Sequence, residues 1–225
     1  TKDLINILFY CAKFGYEDVC KFFTVSELKN FWCKTKVVTA KGAKTLLLLA
    51  CQNGNLNIVK DFVRCDATAH CTASPTRHKS VAEYLSTVDT EINRANNDGV
   101  TPLFVASLNG HQTVVEHLVT IGAEINRATN NGLTSLHIAS VLGHEKVVKY
   151  LATKGAEINC AVYSCTALYM ASQNGYKEVV EHLAREGADI NRADNDGRTP
   201  LHIASSVGHE KVVEYLTKVG AEINR

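Results

Sequence analysis

Apolar and polar residues follow a helical rhythm through much of the chain. In residues 136–151, LHIASVLGHEKVVKYL, apolar positions recur three and four residues apart in one short block before Gly143 and in another after it. In the second block, Val147, Val148 and Leu151 form one apolar stripe, while Glu145, Lys146 and Lys149 are charged and predicted to face water. The pattern predicts two short amphipathic helices joined at a glycine.

The same pair of blocks returns along the chain. Residues 201–216, LHIASSVGHEKVVEYL, are identical to residues 136–151 at thirteen of sixteen positions. The glycines that end the first block lie 33, 32 and 33 residues apart, at Gly110, Gly143, Gly175 and Gly208. Each is followed by a V-V-x-x-L block and by G-A-E/D-I-N. One such helix pair cannot bury its own apolar faces, so a stack of repeats is predicted.

Local signals mark where each helix begins and ends. Thr101-Pro102 and Thr199-Pro200 place a capping hydroxyl before a proline that needs no amide partner in the first turn. A second set of glycines ends the second helix, and the A-E-I-N-R-A-x-N-x-G segment after it predicts a short hairpin with a glycine turn. These glycines are Gly122, Gly155, Gly187 and Gly220.

The amino-terminal part is less regular. Residues 6–23, 45–63 and 68–85 match the pattern more loosely, which brings the count to about seven helix pairs. We expect one domain over residues 1–225, with irregular repeats over about 1–92 and regular repeats over 93–225. Repeat six lacks the turn glycine at residues 162–165. Since the chain starts without methionine and stops within a hairpin, we expect it to be a fragment of a longer protein.

These motifs resemble the ankyrin repeat. T-P-L-H, Gly-His, V-V-x-x-L and G-A-x-I-N recur in that order through residues 90–225. The resemblance implies an all-α solenoid of stacked antiparallel helix pairs, joined by short β-hairpin or loop connections. It also implies a protein–protein interaction module or scaffold, which binds a protein partner through its concave face and hairpin tips and has no catalytic site.

Charge and cysteine content limit the classes of partner and the cellular compartment expected for the chain. With 24 basic and 23 acidic residues, the chain carries no strong electrostatic footprint for nucleic acid or an anionic membrane. Its longest apolar run, residues 46–51, is too short for membrane insertion. The eight cysteines mostly occupy helical positions where sister repeats have Ala, Val or Ser, which favours reduced thiols in a cytoplasmic or nuclear protein. We expect a monomeric domain.

The titratable residues predict neither a metal site nor an enzyme. Six of the nine histidines occupy two repeat slots, so equivalent rings lie about a repeat apart, too far to share a metal; we expect them to bridge neighbouring loops. Cys65, His70, Cys71 and His78 do not have a standard zinc spacing. The chain shows no phosphate-binding glycine loop and no paired carboxylates, so we expect no cofactor.

The positions that vary between repeats are candidates for partner binding. They precede the glycine of the first helix or lie at hairpin tips, and several are apolar where a polar residue would serve the repeat equally well. The candidates are Leu108, Asn109, Leu133, Val141, Leu142, Tyr163, Gln173, Asn174, Asp196 and Arg198. Alternatively, these apolar residues pack on each other or are scattered singly. Two other roles stay open: the targeting or regulatory arm of a larger enzyme or channel, and an architectural spacer.

Overall fold

The computed structural model describes residues 92–223, together with residues 51, 52, 54, 56 and 60. The chain forms two compact units, residues 1–124 and residues 125–225. Apart from those five positions, the irregular repeats expected over about 1–92 lie outside the described residues, as do the cysteines and histidines between residues 65 and 78.

Short helices are the main regular structure of the described residues. The first unit contains α1 (Pro102–Leu108) and α2 (Gln112–Thr120). The second unit contains α3 (Ser135–Val141), α4 (Glu145–Thr153), α5 (Ala167–Gln173), α6 (Lys177–Arg185), α7 (Pro200–Val207) and α8 (Glu210–Lys218). Within the second unit, α3, α5 and α7 pack side by side in one layer, and α4, α6 and α8 pack in a second layer. This arrangement confirms the all-α repeat architecture.

Threonine caps begin the first helix of each repeat, as the sequence predicts. The Thr101 hydroxyl accepts a hydrogen bond from the backbone N–H of Phe104. Thr134 and His137 form a reciprocal capping box, in which His137 Nδ1 accepts from the Thr134 N–H at 3.2 Å. Thr199 is capped in the same way by His202. These bonds satisfy amides that have no partner within the helix.

Two separate constraints, backbone conformation and space, require the glycine between the two helices of repeat six. Gly175 has a φ of +76°, which side chains rarely adopt, and a Cβ there would lie 2.5 Å from Nδ1 of His209 in the next repeat. His209 Nε2 donates to the Gln173 carbonyl at 2.9 Å. His111 donates to the Gln52 carbonyl at 2.8 Å in the first unit. The prediction that histidines in this slot bridge neighbouring repeats is therefore confirmed for His111 and His209.

An asparagine ladder, which the sequence analysis does not assign, also joins the repeats. The Asn126 side chain donates to the Gly155 carbonyl at 3.1 Å and accepts from the Glu157 N–H at 2.9 Å. Asn159 makes the same two bonds one repeat later, to Gly187 at 3.1 Å and Asp189 at 2.8 Å. Each asparagine thus satisfies backbone groups just beyond the end of the next repeat's second helix.

Repeat six has a different turn because it is one residue shorter. Strands β1 (Ala161–Val162) and β2 (Cys165–Thr166) pair antiparallel, and Tyr163 and Ser164 between them have φ values of 50° and 66°. Two successive positive φ angles in a two-residue loop are typical of a type I′ hairpin. Elsewhere in the described residues, a glycine supplies the turn without strands, so the hairpin prediction holds in full only for repeat six.

The ring packed on Gly175 generates a stability prediction. We expect Gly175→Ala to lower the free energy of unfolding by the roughly 1–2 kcal/mol that a left-handed alanine costs, and by at least about 1 kcal/mol more for the collision with His209. Gly187→Ala is the matched control, because its φ is +90° and nothing lies within 4 Å of the added Cβ. Urea unfolding followed by circular dichroism measures both.

Removal of the His209 ring tests whether it causes the extra cost at Gly175. In a His209→Ala background the two glycine substitutions should cost the same to within about 0.5 kcal/mol. Equal costs in the parent chain, or an excess at Gly175 that survives the loss of the ring, would contradict this account of the repeat spacing.

Candidate partner-binding surface

The first helices of the second unit share one partly exposed face. It consists of three positions in each helix, spaced i, i+3 and i+4, so that they fall on one side. We call this set the first-helix face: Ile138, Val141, Leu142, Met170, Gln173, Asn174, Ile203, Ser206 and Val207. Because α3, α5 and α7 lie side by side, equivalent positions occupy neighbouring places in the layer.

Apolar side chains on this face reach solvent. Leu142 is 39% exposed and Val207 is 53% exposed, while Ile138, Val141 and Met170 are half-buried. Val207 is absent from the set of ten candidates, although its position matches that of Leu142. Of the candidates in the first unit, Leu108 and Asn109 are exposed at the end of α1.

The remaining candidates in the second unit occupy several environments. Leu133 is half-buried at its turn, whereas Tyr163 is 77% exposed at the tip of the repeat-six hairpin. Four polar candidates are exposed, namely Gln173, Asn174, Asp196 and Arg198. The structure therefore brings Val141, Leu142, Gln173 and Asn174 onto the first-helix face and leaves the other four at the turns.

Charge is divided sharply between the two kinds of helix. The four stretches that carry the first helices, residues 101–110, 134–143, 166–175 and 199–208, contain no Asp, Glu, Lys or Arg. Helices α4, α6 and α8 contain three or four such residues each. A charged group loses its hydration when another surface covers it, so a face without charges can be covered at little cost.

Polar side chains on the first helices are turned back onto their own backbone. The Asn174 side chain donates to the Met170 carbonyl at 2.8 Å, and that of Asn109 donates to the Val105 carbonyl at 2.8 Å. The Ser206 hydroxyl donates to the Ile203 carbonyl at 3.0 Å. The two asparagines, which are candidates for partner binding, already have an intrahelical bond.

A polar network joins helix α5 of repeat six to the turn of repeat seven. The Tyr169 hydroxyl donates to Asp194 Oδ2 at 2.7 Å, and the Arg198 guanidinium contacts the same oxygen at 2.9 Å. Arg198 also contacts Asp196 at 2.7 Å. Tyr169 occupies the position that His137 occupies one repeat earlier. The histidine ring bonds to a backbone carbonyl of the next repeat, whereas the tyrosine hydroxyl bonds to a carboxylate.

Burial and hydrogen bonding together set the ionisation of this network. Burial alone would raise the pKa of Asp194, whose side chain is 6% exposed, but hydrogen bonds from Tyr169, from two backbone amides and from Arg198 bring it down to about 2. Burial, assisted by the bond to Asp194, raises the pKa of Tyr169 to about 12. At neutral pH the carboxylate is ionised and the phenol is protonated.

Other titratable groups at these turns are held in unreactive forms. Burial, together with the charge of Asp194, raises the pKa of the Cys165 thiol, so the nucleophilic thiolate is disfavoured. Burial lowers the pKa of His137, whose Nε2 donates to the Cys160 carbonyl at 3.0 Å. Among the described residues, no group of three His, Cys, Asp or Glu side chains could hold a metal ion. No helix in this part of the chain is long and apolar enough to cross a membrane.

The depressed pKa of Asp194 predicts a pH dependence of stability. Its folded pKa of about 2 lies below the usual 3.8, so its contribution is fully present above about pH 4 and is lost as the pH falls towards 2. We therefore expect the parent chain to lose stability over this window more steeply than Asp194→Asn. Asp196→Asn serves as control, because this exposed carboxylate contacts only the exposed Arg198 side chain. Urea midpoints measured from pH 2 to pH 6 give the slopes; identical slopes for the parent and Asp194→Asn would refute the network.

Comparison with known proteins agrees with this architecture. A family model described as ankyrin repeats in three copies matches residues 8–127, 69–162 and 159–225. A search of curated proteins finds no match to the chain. Ankyrin repeats are generally protein–protein interaction modules and are typically not catalytic. From its helix pairs, its repeated motifs and this match over almost its whole length, the chain belongs to the ankyrin repeat family.

Proposed function

We propose that the chain binds a protein partner through the first-helix face, with the adjacent turns of repeats six and seven at its margin. One observation carries the proposal: three neighbouring first helices lack any charged residue, yet Leu142 and Val207 are exposed and Met170 is half-buried. Apolar surface that is held in place and free of charge is typical of the centre of a protein interface.

The available binding energy fits an interface built from several modest contacts. Complete burial of a leucine or valine side chain contributes about 1.5–3 kcal/mol. Leu142 and Val207 retain 39% and 53% of their exposure, so covering each contributes roughly 1 kcal/mol. Tyr163, at 77% exposure, offers a larger side chain at the margin. Such a surface supports specific binding only when one partner covers several of these residues together.

The distribution of charge favours binding over a purely architectural role. A spacer requires solvated outer faces like those of α4, α6 and α8, and it has no use for exposed Leu142 and Val207 on a charge-free layer. An arm of a larger enzyme or channel would use the same face to bind its target. Cys51, Cys160 and Cys165 are free thiols, which supports a reducing compartment such as the cytoplasm or nucleus.

Affinity capture with paired variants tests the proposal. We expect the double substitution Leu142→Ser, Val207→Ser to abolish the capture of a partner that the parent chain retains from cell lysate, as detected by mass spectrometry. The buried part of each side chain also contributes roughly 1–2 kcal/mol to stability, so we expect the variant to melt below the parent, and capture is compared at a temperature where thermal melting shows both proteins fully folded. The matched control is Lys149→Ser, Glu214→Ser, which changes exposed residues of α4 and α8.

Comparison of the partners kept by the parent chain, the Leu142/Val207 variant and the Lys149/Glu214 control shows which surface binds. A partner that is kept by the parent and by the α4/α8 control, but lost by the Leu142/Val207 variant, supports the first-helix face. A partner kept equally by all three would exclude this face, and a partner lost only by the control would move the binding surface to the second helices.

A further inference from the structure

The chemistry of the first-helix face favours one secondary structure in the partner segment that covers it. Resting on the proposed function, we propose that the occupant is an amphipathic α-helix of the partner, which lies across α3, α5 and α7 with its apolar residues at heptad spacing. Three properties of the face lead to this inference: the absence of an open strand edge, the spacing of its exposed apolar residues and its lack of charge.

The face offers little to an extended peptide. A segment in extended conformation presents unpaired N–H and C=O groups along its length, and covering them without partners costs free energy. Here the backbone lies in helices, and the side chains of Asn174 and Ser206 donate to the backbone carbonyls of Met170 and Ile203. Strand β1 is already paired with β2. An α-helix satisfies its own backbone and therefore needs nothing that this face lacks.

The spacing of the exposed apolar residues matches a helix of the partner. Adjacent packed helices lie about 8–10 Å apart, so Leu142 at the end of α3 and Val207 at the end of α7 are separated by about 16–20 Å across the layer. An α-helix rises about 1.5 Å per residue, so this span corresponds to about 11–14 residues, or close to two heptads. Residues i, i+7 and i+14 of such a helix would face one repeat each.

The middle of the face is mixed, because the slot between Leu142 and Val207 is taken by the exposed amide of Asn174, and the apolar contact there comes from Met170. Met170 on α5 is half-buried, and its unbranched thioether adapts to irregular apolar shapes. Gln173 is exposed beside it. With no charged side chain on α3, α5 or α7, the covering side of the partner helix must itself be apolar or neutral, because a charge there would be buried without a counter-ion.

Peptide selection tests the inference without knowledge of the natural partner. The probe is a phage-displayed library of random 20-residue peptides. It is selected on the parent chain 1–225 after depletion on the folded Leu142→Ser, Val207→Ser variant. We expect the enriched sequences to carry apolar residues at i, i+3 or i+4, and i+7, and not at alternate positions.

A synthetic peptide from that pool provides the second readout. We expect its helical circular dichroism signal to rise on addition of the parent chain. Its Kd, measured by fluorescence polarisation, should be at least ten-fold weaker for the Leu142/Val207 variant and unchanged for Lys149→Ser, Glu214→Ser.

Each other result overturns the inference in an identifiable way. Enriched peptides with alternating apolar residues, or with no gain of helix on binding, would reject the helical occupant while leaving the first-helix face as a binding surface. Failure to enrich any peptide on the parent over the variant would also reject the helical occupant. The proposed function itself would fail only if the Leu142/Val207 variant also kept every captured lysate partner.

Discussion

A helix pair with helices of seven to nine residues cannot bury both of its apolar faces, and this constraint governs the rest of the structure. Each repeat depends on its neighbour to cover the remaining face. Ser172 and Val180 of repeat six are fully buried, whereas their counterparts in repeat seven, Ser205 and Val213, are exposed and half-buried. The contacts that fix the distance between repeats, the ring on the glycine and the asparagine ladder, therefore set the geometry of every surface built on them.

The same constraint assigns stacking and recognition to different parts of each repeat. The second helices meet solvent with charged residues. Each carries a stripe of two valines and one leucine, which is fully buried in α4 and α6 and buried except for Val213 in α8, so their sequence is committed to stacking. The ends of the first helices are not needed for stacking, since they lie beyond the buried Leu and Ala positions. Leu142, Asn174 and Val207 occupy the same slot in three repeats, yet they differ in polarity. Variation at this slot changes what the layer can bind without disturbing how it stacks.

Local chemistry was enough to predict much of the fold. The threonine caps, the left-handed glycines and the buried Val147–Val148–Leu151 stripe each depend on residues within one turn or one motif, and the structure shows all of them. Periodicity also placed Leu142 at the edge of the first helix. It could equally have found Met170 and Ile138, which precede the variable slots by four residues.

The features that the sequence did not reveal depend on residues far apart in the chain. Tyr169 meets Asp194 from 25 residues away, and Asn126 meets Gly155 from 29. No local pattern reports such a pairing, although the change from His to Tyr in the T-x-L-H motif marks where the contact differs. The rotamer of Asn174, which turns its amide to the Met170 carbonyl, likewise cannot be predicted from the variation between repeats.

The single methionine of the chain, Met170, provides a probe in the middle of the first-helix face. With methionine methyl groups labelled by carbon-13, Met170 gives one resonance that reports from the middle of the first-helix face. The account predicts that this resonance shifts or broadens as a captured partner saturates the chain. It also predicts that the resonance stays unchanged when the partner is added to the Leu142→Ser, Val207→Ser variant. A resonance unmoved while the partner is fully bound to the parent chain would contradict the assignment of the first-helix face as the binding surface.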